Sequence, residues 1–455
     1  MLKLNLRSFA ALRVIKVFQL FGMLLCLTSC SVYHAKPLPT QPNLLQNLPA
    51  ITVKADKFKN LPVRYHNFDA AQPLDMDDVA ILAVINNPDL RLARDDAKIA
   101  HAQAFAAGLL PDPQISLGKS YPTNSPPDTT IGFNAGVNYD LNTIIGTYAA
   151  KVRAKAQERQ VNLNLLWQEW QVISQAKLLF IKNVAQNKLL QLLQANQALL
   201  AKRYQQDQKA LKRGDVTLDA ISSDLLAAQD AEKQLNDLML SMQQNQYDLH
   251  QLLGLAPTVK FILNNQLVAP MLAEKNIQTD LQQLPQRRAD LLALQAGYQS
   301  EDLRLRQAIL GQFPAINFGF SRARDTSDIY TNNFAITFDL PIFNRNRGNI
   351  AIERATRQRL YDEYQARLNT AYSDIQLIVE QQLLRLQQLH TLKPAILQLQ
   401  RVVNSADKAM QKGDIDNLTY INLRTTLLNK QVEQINLEET ILEQNIALQT
   451  LLGIS

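Results

Sequence analysis

The sequence predicts a mainly α-helical fold with a smaller β part, arranged as two internal repeats that each join a β-hairpin to long coiled helices. Three observations predict it. Gly is scarce, 14 in 455 residues, while Leu, Ala and Gln are abundant, which favours long helices over an all-β fold or a disordered chain. The segments "KRGDVTLDAI" (212–221) and "QKGDIDNLTY" (411–420) interrupt helix-forming runs with the same Gly-Asp pair, 199 residues apart. Two pairs of short segments alternate apolar and polar residues with the period of a strand.

The Gly-Asp breaks are part of a longer correspondence. Asp89-Leu90 in "NPDLRLA" matches Asp290-Leu291 in "RADLLAL" at an offset of 201, which also carries "PQISLG" (113–118) onto "PAINFG" (314–319). Beyond that point the offset is 199: Asp140-Leu141 falls on Asp339-Leu340, Gly214-Asp215 on Gly413-Asp414, and the "LLG" ending at Gly254 on the one ending at Gly453. Ordered anchors at a nearly constant offset mark two copies of one unit. The units are expected over 76–254 and 286–455, with an extended segment over 30–75 and a linker over 255–285 forming an equatorial band around the helices.

Each unit has the same order: a helical run, a proline, a strand, a polar loop, a second strand, a very long helical run, the Gly-Asp break and a helix ending in Leu-Leu-Gly. The closing Gly suits a helix that terminates in the left-handed conformation. The long runs, roughly 144–213 and 343–412, each hold one Gly, at the start (Gly146, Gly348). At 1.5 Å per residue such a run spans on the order of 100 Å. The flanking helices, near 89–109 and 217–253, nearly match one long helix when laid end to end, as in a bundle where two short helices stack beside each long one.

The first 29 residues carry Lys3, Arg7, Arg13 and Lys16, no acidic residue, and the apolar stretch "VFQLFGMLLCL". This is the pattern of a secretion signal. It ends in Leu27-Thr28-Ser29-Cys30, which resembles a bacterial lipobox, where small residues admit the peptidase and the thiol of Cys30 accepts an acyl chain. An ordinary signal peptide or a short membrane anchor is the alternative, although the stretch is short of the ~20 apolar residues a spanning helix needs. Cys26 would leave with the signal, so no internal disulfide is expected. The formal charge of +6 is mostly that of the leader, since 43 basic residues face 41 acidic ones in the rest of the chain. Charge therefore gives no support for a nucleic-acid partner.

The strands are expected near 113–120, 131–141, 314–322 and 333–341. In "IGFNAGVNYDL", Ile131, Phe133, Ala135, Val137, Tyr139 and Leu141 alternate with Gly132, Asn134, Gly136, Asn138 and Asp140. In "NFAITFDL", Phe334, Ile336, Phe338 and Leu340 alternate with Asn333, Ala335, Thr337 and Asp339. Alternation of this kind puts one face in an apolar medium and the other in a polar one. A soluble sandwich gives the same pattern, but the lipobox and the long rods favour a transmembrane barrel with a wet lumen. Four strands cannot close such a barrel, and an open edge in lipid leaves backbone groups unpaired. Several copies of the chain must then pool their strands.

With "NPDL" opening the first unit, "RADL" the second, a proline before each first strand and a Gly at each helix turn, the chain resembles the TolC family of outer-membrane efflux ducts over about 74–455. The lipobox resembles its acylated branch of OprM-type and CusC-type ducts, and "LPIFNRNRGNI" (340–350) is similar to the post-strand sequence of the heavy-metal branch. The resemblance implies a homotrimer with a twelve-stranded β-barrel in the outer membrane and a twelve-helix α-barrel across the periplasm. It implies a passive duct, docked on a periplasmic membrane-fusion adaptor and an inner-membrane pump of RND or similar type. The cargo, drugs or heavy-metal cations, stays open. The second unit departs from the family in having "RADL" for the more usual Arg-Pro-Asp-Leu, and the first has "LNTIIG" where the second has "LPIFNRNRG".

Gly214 and Gly413 then mark hairpins at the far tips, about 212–217 and 411–416, where the resemblance puts the periplasmic entrance. Asp414 and Asp416, with Asp215 and Thr217 at the matching positions, are candidate gate residues. For Asp416 and Thr217 the competing role is helix N-capping, and for Asp414 an ordinary solvated turn. An enzyme is not expected: the histidines (His34, His66, His101, His250, His390) form no metal-ligand spacing, and no phosphate loop or nucleophile elbow appears. No cofactor is expected beyond the covalent lipid on Cys30, and no metal site. The alternative function is a periplasmic helical scaffold or adaptor lipoprotein without a pore.

Overall fold

The computed structural model describes residues 33–48, 72–123, 128–266, 274–314, 316–338 and 341–454. Cys30 and the leader 1–29 lie outside the described residues, as do Asp339 and Leu340 at the end of the fourth predicted strand. The chain divides into two compact units, Met1–Leu44 and Leu45–Ser455. In the first, residues 33–44 are exposed and have no helix or strand.

The second unit contains every regular element among the described residues. In chain order these are α1 (Met76–Asn86), α2 (Pro88–Ala106), β1 (Gln114–Ser120), β2 (Gly132–Asp140), α3 (Leu141–Arg213), α4 (Leu218–Leu252), α5 (Glu274–Arg287), α6 (Ala289–Leu310), β3 (Ile316–Arg324), β4 (Tyr330–Phe338), α7 (Arg347–Lys412) and α8 (Asn417–Leu452). The strands form one antiparallel sheet in the order β1-β2-β3-β4. β4 begins three residues earlier than the alternation suggests. Asp325 closes the turn before it, its carboxylate accepting the Ser327 and Ile329 N–H groups.

The long helices have 73 and 66 residues, α3 and α7, and so span about 110 and 100 Å. Proline in a helix interior normally ends or kinks it. Pro394 lies inside α7, which continues to Lys412 with one N–H fewer to donate. The expected linker is also more structured than a plain connection. It contains α5, and its start pairs with the amino-terminal segment through two parallel bridges, Leu45 with Leu255 and Leu74 with Leu263.

The motifs that open the two units are joints. Asn87 of "NPDL" caps α2, its side-chain oxygen accepting the Asp89 and Leu90 N–H groups, while its amide donates to the Leu252 carbonyl. Pro88 at the first helical position has no N–H to waste there. In "RADL", Arg288 instead grips Asp290 through two hydrogen bonds of 2.8 and 3.1 Å, both side chains more than nine-tenths buried, and its guanidinium lies 4.9 Å from the Trp167 ring centroid. Each joint receives the end of a "Leu-Leu-Gly" helix. Gly254 has φ +62°, and a Cβ there would sit 2.8 Å from the Asn86 carbonyl oxygen, so only Gly fits.

Two apolar clusters surround these joints. One holds Leu82, Phe180, Leu249 and Leu253, and the other Leu284, Ile375, Leu448 and Leu452. Leu249 and Leu253 stand 199 residues before Leu448 and Leu452, so the offset read from the turns extends to the packing. The core is concentrated where α1 or α5, the long helix and the returning helix meet.

Asp290→Ala leaves the Arg288 charge buried without its ion-pair partner. It is expected to cost about 3–5 kcal/mol, read from the denaturation midpoint. Replacing both partners together, Arg288→Met with Asp290→Leu, is expected to cost much less.

Candidate functional site

Register sorts the strand residues onto two unlike faces. On one, Ile115, Val137, Phe320 and Phe334 form a row across all four strands, followed toward the helices by Tyr139, Phe318 and Ile336, then by Ile316 and Phe338. On the other, Ser116, Gly136, Ser321 and Asn333 form one row and Gln114, Asn138, Gly319 and Ala335 the next. The apolar face is bare: Leu117 is 80 % and Phe334 79 % exposed. Phe313, Ile342 and Phe343 carry the exposed apolar surface past the strand ends toward the helices. The outer edges of β1 and β4 have no strand partner among the described residues.

The two hairpin turns have the same backbone. Gly214 has φ +78° and Gly413 +82°. In each, the N–H after the glycine reaches back to close the helix, Asp215 N–H to the Ala210 carbonyl and Asp414 N–H to the Ala409 carbonyl. This is the Schellman ending that a left-handed residue permits. The side chains differ. Asp215 pairs with Arg213 at 2.8 Å, both exposed. Asp416 caps α8, accepting the Thr419 N–H at 2.6 Å, and that bond holds its carboxyl below the usual range. Thr217 directly precedes α4, where its carbonyl accepts the Ile221 N–H. Asp414 is exposed in its turn.

Behind the turns lies a polar cluster that nothing in the repeat pattern marks. Asp224 of α4 is buried, and its Oδ1 accepts from Arg203 of α3 at 3.2 Å and from Asn417 of α8 at 2.7 Å. Arg203 also reaches the Met410 sulfur of α7 and lies 5.0 Å from the Tyr420 ring centroid. One carboxylate thus ties the two helical hairpins together. Burial, a hydrogen bond with Asp224 and the Asp224 charge push the neighbouring Asp207 carboxyl up to about 6, with Arg203 opposing. A buried Asp on the apolar side of α4, one turn after Ile221, was the available signal.

Other carboxyls respond to the same physics. Burial and the Glu443 charge raise Glu439 on α8 to about 7 despite Lys182. Among the described residues no group of three or more His, Cys, Asp or Glu is placed to hold a metal ion, and no helix is long and apolar enough to cross a membrane.

A sheet with a bare apolar face, continued by helices on the order of 100 Å long, is the build of an outer-membrane channel subunit. Residues 281–454, close to the second of the two expected repeats, match the family described as outer membrane efflux protein. No curated protein matches the chain. Among solved structures, CusC, described in connection with transmembrane channel formation, superposes with a TM-score of 0.70 at 18% identity, covering 94% of this chain and 100% of that one. VceC, an outer membrane protein of Vibrio cholerae, gives 0.69 at 17% identity, covering 83% and 96%. The CmeC outer membrane channel of Campylobacter jejuni gives 0.71 at 16% identity, covering 83% and 85%. At these identities the superpositions establish the fold. Together with the family match, they show that the chain resembles the outer-membrane efflux channels.

Two predictions concern the tips. Nothing lies within 4 Å of a Cβ added at Gly413, so Gly413→Ala is expected to cost only the backbone strain, about 1–2 kcal/mol, measured by thermal unfolding. Asp207 has a raised carboxyl value, so its ionisation above about pH 6 opposes the folded cluster and protonation below favours it. Asp207→Asn is expected to raise the unfolding temperature at pH 8 more than at pH 5.

Proposed function

We propose that this chain is the outer-membrane duct of a tripartite efflux system, passively conducting cargo that an inner-membrane pump and a periplasmic adaptor deliver. The observation that carries this reading is the four-stranded sheet, apolar on one exposed face, small and polar on the other, and free along both edges. Unpaired edges are costly in lipid, where water cannot satisfy them. Copies joined edge to edge, β4 to the next β1, remove the cost and turn the polar face into a lumen. Three copies give the homotrimeric barrel, and the paired α3–α4 and α7–α8 hairpins of each repeat continue it as a helical tunnel. The repeat of turns, joints and core positions supports two copies of one unit.

In this assembly Cys30 carries the lipid that anchors the mature chain to the outer membrane. The tips at Gly214 and Gly413 form the periplasmic entrance and meet the adaptor. Asp414 and Asp416 from three copies bring six carboxylates to that opening, which favours cations. Asp416 combines this role with its cap on α8. Asp215 and Thr217 occupy the corresponding places on the other hairpin. The duct performs no chemistry, so it needs no catalytic residue.

Purified protein in detergent is expected to behave as a trimer by light scattering and to form discrete conducting pores in planar bilayers. A monomer that never conducts would overturn the reading. Asp414→Asn combined with Asp416→Asn is expected to lower cation selectivity or raise leakage of single pores. Cys30→Ala is expected to abolish incorporation of labelled fatty acid.

A further inference from the structure

The apolar face of the sheet ends in a row of a different kind. At the loop end, farthest from the helices, register places Lys119, Phe133, Arg324 and Tyr330 side by side, one on each of the four strands. Cation and aromatic alternate across the sheet. Arg322 stands one step inward on β3, exposed, its guanidinium 5.6 Å from the Tyr330 ring centroid. These side chains share the face that carries Phe320 and Phe334, not the small polar face behind it.

Where an apolar face meets lipid tails, its end meets head groups. Aromatic rings are favoured there, and Lys and Arg are attracted to anionic lipid. The carboxylates nearby do not satisfy this row. Asp325 is occupied by the turn, accepting two backbone N–H groups. Asp328 lies 3.3 Å from Arg324 alone, which also donates to the Ile131 carbonyl. Lys119 and Arg322 have no ion pair among the described residues.

We infer that Lys119, Arg322 and Arg324, set between Phe133 and Tyr330, form a site for the phosphate groups of a membrane lipid at the outer rim of the lipid-facing surface. The inference rests on the channel reading for the orientation of the sheet. The rings lie at the head-group boundary, the guanidinium of Arg322 is held over Tyr330, and the apolar rows beneath receive the acyl chains. A ligand of this chemistry carries at least one phosphate beside its acyl chains, because the cations adjoin an exposed apolar surface.

The test uses the full-length protein in detergent, titrated with a diphosphorylated lipid A, the same lipid without its phosphates, and inorganic phosphate. Wild type is expected to bind the phosphorylated lipid at least about tenfold more tightly than Lys119→Gln/Arg322→Gln/Arg324→Gln does. Arg322→Lys/Arg324→Lys is expected to keep most of the affinity. Equal binding of the two lipids by wild type, equal binding by wild type and the Gln variant, or full competition by millimolar inorganic phosphate would each overturn the site. The lipid comparison on wild type decides the matter even if the variant does not fold. Pore conductance, recorded on the same preparations, separates the two readings. A conducting wild type that ignores the phosphates refutes the site alone, and a protein that discriminates the lipids without conducting refutes the duct.

Discussion

The sheet has an apolar face that no part of the described chain covers, and two edges with no strand partner among the described residues. Most of the remaining structure answers to that constraint. Elsewhere the molecule buries its apolar side chains in the ordinary way, around Phe180 and Leu253 or around Ile375 and Leu448. In the strands, Phe334 and Leu117 are left open beside backbone groups that need partners. Hydrophobic exposure and unpaired edges act together here. The first calls for an apolar solvent, the second for further strands, and a shared barrel wall in lipid meets both needs.

Placement of the packed cores follows from the helices. A helix about 100 Å long cannot be held by its ends alone, so the molecule places its densest packing partway along, where α1 and α5 meet the long and returning helices. The two joints reach this result by different chemistry. Asn87 satisfies the helix start with an amide, whereas Arg288 and Asp290 neutralise one another beneath Trp167. A buried ion pair contributes little net stability compared with an apolar contact but is costly to break. It therefore fixes the position of α6 against α3 more than it strengthens the fold.

Toward the tips a smaller apolar cluster of Leu392, Ile396, Val403 and Leu427 continues the packing, and a polar connection joins it. Asp224 joins α3, α4 and α8 through Arg203 and Asn417, and the Asp207 carboxyl beside it changes charge near pH 6. A connection of this kind is weaker than a core and responds to protonation.

Both Gly-Asp turns, the long helices and the two faces of the strands were legible in the sequence. Each depends on local stereochemistry: a left-handed helix end favours Gly, a strand alternates every second residue, and long helices are poor in Gly. The capping role of Asp416 was legible for the same reason. Helix α5 was not, because its pattern is short and carries Pro285, and the early start of β4 depended on how Asp325 folds its turn. The Asp224 cluster was also out of reach, since Arg203 and Asn417 stand more than 200 residues apart in the chain and meet only after the hairpins pack. The sequence by itself determined which residues could be helix, strand or turn, because those choices are made within a few bonds. Only the tertiary structure decided which charges share a buried site and which row of the sheet ends in cations, because both depend on the register between distant segments.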